Sequence, residues 1–420
     1  MNKCIGRIII SIFLITSFSV SISNAEDTVS ISLEEALKIA YTNNPRMIEA
    51  KKFIEASKGD LITARTLLNP EMEVELGGLK KNEKGERKTN LDSIAFKQNF
   101  DPLGVRELKS KIAKNDVLIQ EESLRSTWSE VYSEVREAHT KIILDKKSLE
   151  LTNDNLNVFR QFFSHVQQRF QSGQALKNDV QRSRIELLKA ENDYLLAEKE
   201  FKIDKAKLNL LLGRPMEIPL DIKEELKEEI LKLNLQELTD TAFSKTPNVK
   251  IAQFELDSKR KNLTKEQLNR LPSFALGFQK TNEDFEKDYS AIIEVSVPFW
   301  NLNQGEVKKA KAEKEVQEAK AEAVKREVSF DVYQAFLDAE VNQKQIDLLK
   351  KSLEEANELL RLANLRYSEG EIDFINYLDQ VKTATETRIR YYEGLFNLNK
   401  SINELEKIVY SSLRQEDYFK

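Results

Sequence analysis

From Val105 to Ser172 the chain carries neither glycine nor proline, 68 residues in a row. Within that run Trp128, Val135, Ile142, Leu149, Leu156, Phe163 and Phe170 recur at every seventh position. A sustained seven-residue apolar stripe marks a coiled-coil seam, because it keeps one face of a slightly underwound helix against a partner. At 1.5 Å per residue the run makes a helix about 100 Å long. No compact globule needs a helix of that length, so the chain must build something elongated. Its breakers are scarce, 12 glycines and 8 prolines in 420 residues, and their positions carry the architecture.

Those breakers fall in a pattern that occurs twice. Leu33 to Pro45 (LEEALKIAYTNNP) is echoed by Leu235 to Pro247 (LQELTDTAFSKTP), and Pro70 is echoed by Pro272, all at an offset of 202. Farther on, Phe170-Gln171-Ser172-Gly173 matches Tyr367-Ser368-Glu369-Gly370 at an offset of 197. The second seven-residue stripe, Val332, Ala339, Ile346, Leu353, Leu360 and Tyr367, keeps that same offset. The expected organisation is a first repeat over 26–213, a linker over 214–234 and a second repeat over 235–420. In each repeat a helix from Arg46 to Asn69, or Asn248 to Leu271, adds to one from Gln174 to Leu212, or Glu371 to Tyr410. Laid end to end, the pair matches one long helix running the other way. Gly173 and Gly370 supply the turn at the far end.

At the near end the apolar period changes from seven to two. Met72, Val74 and Leu76 alternate with Glu71, Glu73 and Glu75, and Ile94 and Phe96 with Ala95 and Lys97. Phe274, Leu276 and Phe278 alternate with Ser273, Ala275 and Gly277, while Ala291, Ile293, Val295 and Val297 alternate with Ile292, Glu294 and Ser296. These read as four strands of about nine residues with one apolar face each, in hairpins at about 71–100 and 273–298, the pattern of a membrane barrel. Charged turns, Leu79 to Asn90 and Lys280 to Asp288, join them. Soluble hairpins capping a coiled coil are the plainer alternative, but no apolar element remains to cover their faces. Four strands cannot close a barrel alone, so their edges must pair with other copies. Eight strands fill with side chains, whereas twelve, from three copies, leave a lumen.

The N-terminus sets the compartment. Lys3 and Arg7 precede an apolar run from Ile8 to Ile22, and Ser23-Asn24-Ala25 offers small residues before Glu26. This reads as a cleaved secretory signal over 1–25, the run being short for an uncleaved anchor. No other stretch approaches spanning length as a helix. Removing the signal leaves 63 basic against 70 acidic residues, a mild acidity that argues against nucleic acid as a partner. Cys4, the only cysteine, leaves with the signal, so no disulfide or thiolate metal site is expected. His139 and His165 are the only histidines and are expected on helix surfaces. Nucleotide loops, catalytic constellations and cofactor motifs are lacking, so no enzymatic activity, no cofactor and no metal site is expected.

With these features in hand, the chain resembles the TolC family of outer-membrane efflux channels over essentially its whole mature length. The resemblance rests on LEEALKIAYTNNP, LNPEMEVELGG, VPFWNLNQGEVKKAKAE, RFQSGQALKNDVQ and RYSEGEIDFINYLDQ, in that order within a duplication. It implies a mainly α fold with a small β part. That fold assembles as a homotrimer with a twelve-stranded β-barrel in the outer membrane and a twelve-helix α-barrel reaching into the periplasm. The LNPE passage and Asn303-Gln304-Gly305-Glu306 look most like the heavy-metal efflux branch. The resemblance also implies constrictions near the tips, where Asp179 and Tyr367 match positions that link neighbouring helices in the closed state. An arginine found in some members is Ile372 here, so a charged closed-state bond is lost. In the acidic-ring motif Asn376 takes the first place and Asp379 the second, leaving one ring of three carboxylates.

The function so implied is a passive duct for small molecules or metal ions. An inner-membrane pump, of the resistance-nodulation-division type, drives it through a periplasmic adaptor that docks at the tips around Gly173 and Gly370. Glu71, Glu73, Glu75 and Glu294 are expected to face the lumen, and the opposite strand faces to meet outer-membrane lipid. Two other readings remain at this stage: the exit duct of a type I protein secretion system, and a soluble periplasmic coiled-coil scaffold.

Overall fold

The computed structural model describes residues 29–76, 80–81, 87–88, 91–229, 231–283 and 286–413. The expected signal, and most of the turn from Leu79 to Asn90, lie outside the described residues. In chain order the first elements are β1 (Val29–Ser30), α1 (Leu33–Asn43), α2 (Pro45–Arg65), β2 (Glu71–Leu76), β3 (Lys80–Lys81), β4 (Arg87–Lys88) and β5 (Leu91–Phe100). Then come α3 (Val105–Gln171), α4 (Lys177–Leu211), β6 (Leu220–Asp221), α5 (Leu235–Lys245) and α6 (Pro247–Leu268). The chain closes with β7 (Ser273–Glu283), β8 (Glu286–Ser296), α7 (Gln304–Ser368) and α8 (Phe374–Val409).

The succession of two short helices, a hairpin, a very long helix and a medium helix thus occurs twice. Each break between the short helices is made by the residue before a proline, which is driven out of the helical region while the proline starts the next helix. Asn44 caps α2 by accepting from the Arg46 amide at 2.9 Å, and its Nδ2 donates to the Leu211 carbonyl at 2.9 Å. In the second half Thr246 Oγ1 donates to the Ile408 carbonyl, also at 2.9 Å. Leu211 and Ile408 stand 197 apart, the offset of the tip glycines. The same bond therefore ties the short-helix break to the end of the medium helix in both halves.

α2 and α4 both pack along α3, and α6 and α8 both pack along α7. The halves meet through α3, which touches α6 and α8. One end of the molecule therefore reads α2–α3–α6–α7 across, and the other α4–α3–α8–α7. The core is strung along these seams. Val131, Val135, Ile142, Leu208 and Leu212 form one cluster with α1, and Val328, Val332, Ala335, Leu405 and Val409 form its counterpart. The seven-residue stripe is buried at its centre, where Val135, Ile142 and Leu156 are at most 1% exposed, but Phe170 is 43% exposed. A straight helix turns about 20° past each seven-residue repeat, and toward the tip the buried line shifts to Phe159, Phe162 and Val166.

At the other end β2, β5, β7 and β8 form one antiparallel sheet in that order, so β5–β7 pairing joins the halves and β2 and β8 are left as edges. Three expectations are corrected. α2 stops at Arg65 and α6 at Leu268, earlier than Asn69 and Leu271: the backbone turns extended at Thr66 after α2, whereas α6 ends in a turn whose cap, Asn269, is still helical. β7 and β8 stay paired out to Glu283 and Glu286, where a turn over Lys280 to Asp288 was expected. His139 is buried at 2% exposure instead of lying on a helix surface, although His165 is exposed as expected.

Gly173, Gly213 and Gly370 end their helices with φ near +70°. In each case the next amide reaches back to close the last turn, Gln174 to the Arg169 carbonyl at 2.8 Å, Arg214 to Asn209 at 2.9 Å and Glu371 to Arg366 at 2.9 Å. A side chain at Gly173 or Gly370 would meet nothing within 4 Å, whereas a Cβ at Gly213 would sit 2.5 Å from the Asn43 carbonyl oxygen. Gly173→Ala and Gly370→Ala should each cost about 1–2 kcal/mol, the ordinary penalty of left-handed backbone. Gly213→Ala should cost clearly more and separate α1 from α4. Thermal unfolding of the three variants checks this, and equal midpoints would contradict it.

Candidate functional site: a two-faced sheet and a groove at the helix tips

Antiparallel partners share a sheet face, so the register assigns every side chain. Met72, Phe96, Phe278 and Ala291 form one row, Gln98, Leu276 and Ile293 another, and Phe100, Phe274 and Val295 a third. A fourth row is Val74, Ile94, Lys280 and Tyr289, so the face is apolar apart from Gln98 and Lys280, with Phe100 and Phe274 stacked at 5.4 Å, and it is uncovered: Met72 is 62% and Ile293 74% exposed. The other face carries Glu71, Glu73, Glu75, Ser93, Ala95, Lys97, Asn99, Ser273, Ala275, Gly277, Gln279, Thr281, Asp288, Ser290, Ile292, Glu294 and Ser296. Glu71, Glu73, Glu75 and Glu294 therefore do share a face. The sequence reading passed over Lys97 as a member of it: the ammonium lies 2.5 Å from Glu294 and its Cα partner is Glu71. Ser93 Oγ donates to Glu75 at 3.1 Å, and Asn99 Nδ2 to Glu71 at 2.9 Å. The alternation in the sequence already placed Lys97 opposite Phe96, but only the register sets it beside the carboxylates.

At the far end a groove of about 630 Å³ opens between the tips of α3–α4 and α7–α8. Asp179, Tyr367, Gly370, Ile372 and Asp379 all border it, with Arg169, Arg182 and Lys382 on its rim. The resemblance-derived residues are thus gathered in one place, and Gly173 sits at the adjoining turn. Asp179 Oδ2 accepts from the Leu176 amide at 3.1 Å, stabilising the first turn of α4. Tyr367 stacks on Tyr377 at 4.8 Å and meets the edge of Phe374 at 5.0 Å, and burial pushes its phenol pKa up. Asp379 is exposed, and Asn376 donates its side-chain amide to Asp373, the cap of α8. The missed element is an aromatic clasp: Phe374 of α8 stacks on Phe162 of α3 at 3.8 Å and 16° between planes. Leu156, Phe159, Phe162, Val166 and Leu378 are buried around it. Phe374 stood in the quoted tip motif, but the strict stripe pointed to Phe163 and so concealed its neighbour.

With the two-faced sheet and paired helix tips established, comparison with known proteins decides the family. The model of the outer membrane efflux protein family matches residues 36–214 and 238–409. The chain belongs to that family. It is accordingly an outer-membrane efflux protein, in a class of channels. That compartment sets aside the soluble periplasmic scaffold. The cobalt-zinc-cadmium resistance protein CzcC of Cupriavidus metallidurans is 19% identical over 384 residues, spanning 90% of each chain. The CmeC outer membrane channel of Campylobacter jejuni superposes with a TM-score of 0.77 at 14% identity, over 90% of this chain and 85% of that one. The open-state MtrE channel of Neisseria gonorrhoeae also gives 0.77, at 17% identity over 91% of this chain and 90% of that one. These likenesses fix the fold of an outer-membrane channel protomer. No helix among the described residues is long and apolar enough to cross a membrane.

Two buried titratable groups lie between the sheet and the tips. Asp145 of α3 is pushed up to about 7, chiefly by burial and then by sharing a hydrogen bond with Asp204 of α4, while Lys141 beside both opposes the shift. His139 is held below its ordinary range by burial, with Glu224 Oε2 at 3.4 Å pulling the other way. A raised carboxyl favours the fold while it can be protonated and loses that contribution as pH rises through about 7. A depressed histidine does the reverse, since the unfolded chain takes up the proton first as pH falls below about 6.5. The Asp145 contribution thus falls as pH rises from the ordinary aspartate range to about 7 and is constant above it, opposing the histidine on the acid side. Asp145→Asn should remove the fall in stability between about pH 5 and 7, which melting curves from pH 5 to 9 would show; an unchanged slope in that window would contradict the raised carboxyl.

Proposed function

We propose that three copies pair β2 of one with β8 of the next, closing a twelve-stranded barrel in the outer membrane. A twelve-helix tube continues it into the periplasm. The observation that carries this reading is a four-stranded sheet with two free edges and one uncovered apolar face. In hydrocarbon a free edge leaves backbone groups without partners, and closure into a barrel is the available solution. The apolar rows then meet lipid, and Glu71, Glu73, Glu75, Lys97 and Glu294 line the lumen.

The duct is passive. Energy comes from an inner-membrane pump of the resistance-nodulation-division type, transmitted through a periplasmic adaptor seated at the tips around Gly173 and Gly370. The name of CzcC favours metal ions over polypeptides as cargo, which ranks metal efflux above the type I secretion duct. Asp379, exposed beside the groove, supplies the acidic ring at the periplasmic entrance. Asp179 and Tyr367 border the same groove and take part in closing it, with the aromatic clasp standing in where Ile372 replaces a charged link.

Five lumen carboxylates, Asp288 with the four glutamates, against Lys97 in each copy should make the pore cation-selective, and salt should screen the preference. Reversal potentials across a planar bilayer with a salt gradient would measure it. Lys97→Gln should strengthen cation preference and Glu294→Gln weaken it. Anion preference, or no selectivity at low salt, would overturn the lumen assignment.

A further inference from the structure

One charge stands on the face of the sheet that a barrel would turn to lipid. Lys280 shares its row with Val74, Ile94 and Tyr289, and among the described residues no carboxylate pairs with it. Gln98, the other polar residue of that face, is satisfied: its Nε2 donates to the Leu68 carbonyl at 2.8 Å and to the Asn99 carbonyl at 3.0 Å. Asp288, next to Tyr289 in the chain, is the register partner of Thr281 and so belongs to the opposite face.

The depth of Lys280 decides what it can meet. From Val297 back to Tyr289 is eight residues, about 27 Å along an extended strand. A tilt of about 40° reduces this to about 20 Å, most of an apolar band about 25 Å tall. Phe299 and Trp300 stand exposed just past the helix side of that span. Lys280 and Tyr289 therefore stand at the other margin, away from the helices. An ammonium is costly at the centre of the hydrocarbon, but at the margin its stem can lie in the apolar layer while its head reaches polar groups. Tyr289, stacked on Phe278 at 5.8 Å, suits the same depth.

At this same end the β2–β5 connection carries the β3–β4 pair. There Lys80 is the register partner of Lys88, and Lys81 of Arg87. Like charges directly opposite each other weaken a ladder, and neither strand contains an acid to offset them. Lys287, paired with Asn282, takes the next step outward in the alternation that includes Lys280. An anion held against this rim would offset these charges together.

We infer that the outward rim of the sheet binds the phosphate groups of outer-leaflet lipid, through Lys280 on the lipid-facing side and the cationic β3–β4 pair beyond it. The inference rests on the barrel proposed above and adds the lipid class that the barrel selects. A lipid is the occupant because Lys280 shares its face with Met72, Phe278 and Ile293. A ligand there must bring acyl chains along with its charge. Phosphate is the matching head, since an ammonium binds it by a charge-assisted hydrogen bond.

The full processed protein in a nonionic detergent tests this, with retained lipid counted by native mass spectrometry. The probes are diphosphoryl lipid A and a neutral galactolipid. The parent should retain lipid A at about tenfold lower concentration than the galactolipid, and added salt should narrow the gap. Lys280→Gln should weaken lipid A retention about fivefold, and joint replacement of Lys80, Lys81, Arg87 and Lys88 by Gln should weaken it further. Galactolipid retention should not change in either variant. Lys223→Gln, at an exposed position outside the sheet, should leave both lipids as in the parent. Equal retention of the two lipids by the parent, or parental retention of lipid A by both variants, overturns the inference. So does displacement of the lipid by inorganic phosphate alone, which would mark a site for free anions. Flotation of the parent with phospholipid vesicles tests the barrel separately. A protein that does not float contradicts the barrel, whereas one that floats and ignores the phosphates contradicts this inference only.

Discussion

Backbone amides and carbonyls at a sheet edge lose several kcal/mol each if they are left without partners in hydrocarbon. This chain carries two such edges, β2 and β8, on a sheet whose one face is apolar and uncovered. The rest of the molecule follows from satisfying them together. On the proposed reading the edges pair with other copies, the apolar face meets lipid, and the opposite face, with its carboxylates and Lys97, lines the space enclosed. The long helices then inherit the same ring. Each copy ends on α2 and α4 at one side and α7 at the other, in the same order as β2 and β8.

Duplication makes this economical in sequence. One set of contacts, the proline break tied to the helix end and the glycine that closes each tip, is used twice. The halves differ mainly at the seams. Polar pairs such as Ser133–Asn403 and Arg136–Glu406 fix the alignment of the halves inside a chain, where they fold together. Gly213 and Tyr410 occupy the same left-handed position in the two halves. The glycine is enforced by the close approach of Asn43 in the first.

Much of this was legible in the residues alone. The absence of breakers, the stripe at sevens and the alternation at twos are direct consequences of helix and strand geometry, and they gave the long helices, both hairpins and the faces of the sheet. What escaped depends on contacts between segments far apart in sequence. His139 is buried beside Ile31 and Glu224, and Asp204 adds to the burial that raises Asp145, none of them near in the chain. Lys97 came to light beside Glu294 only through strand register. The clasp of Phe162 and Phe374 appeared where the buried line of α3 slips off the strict repeat. Helix ends and turn lengths were off by a few residues, as expected where proline and pairing compete locally.

The central claim is that the sheet is one third of a lipid-embedded barrel, with alternate residues of β8 facing lipid and water. Single cysteines at positions 290 to 296, reacted with a membrane-impermeant maleimide in intact outer membranes, test it most directly. Cys4 lies in the expected signal, so the processed chain should offer no competing thiol. The account predicts labelling at Ser290→Cys, Ile292→Cys, Glu294→Cys and Ser296→Cys, and protection at Ala291→Cys, Ile293→Cys and Val295→Cys. Uniform labelling of all seven positions would contradict it.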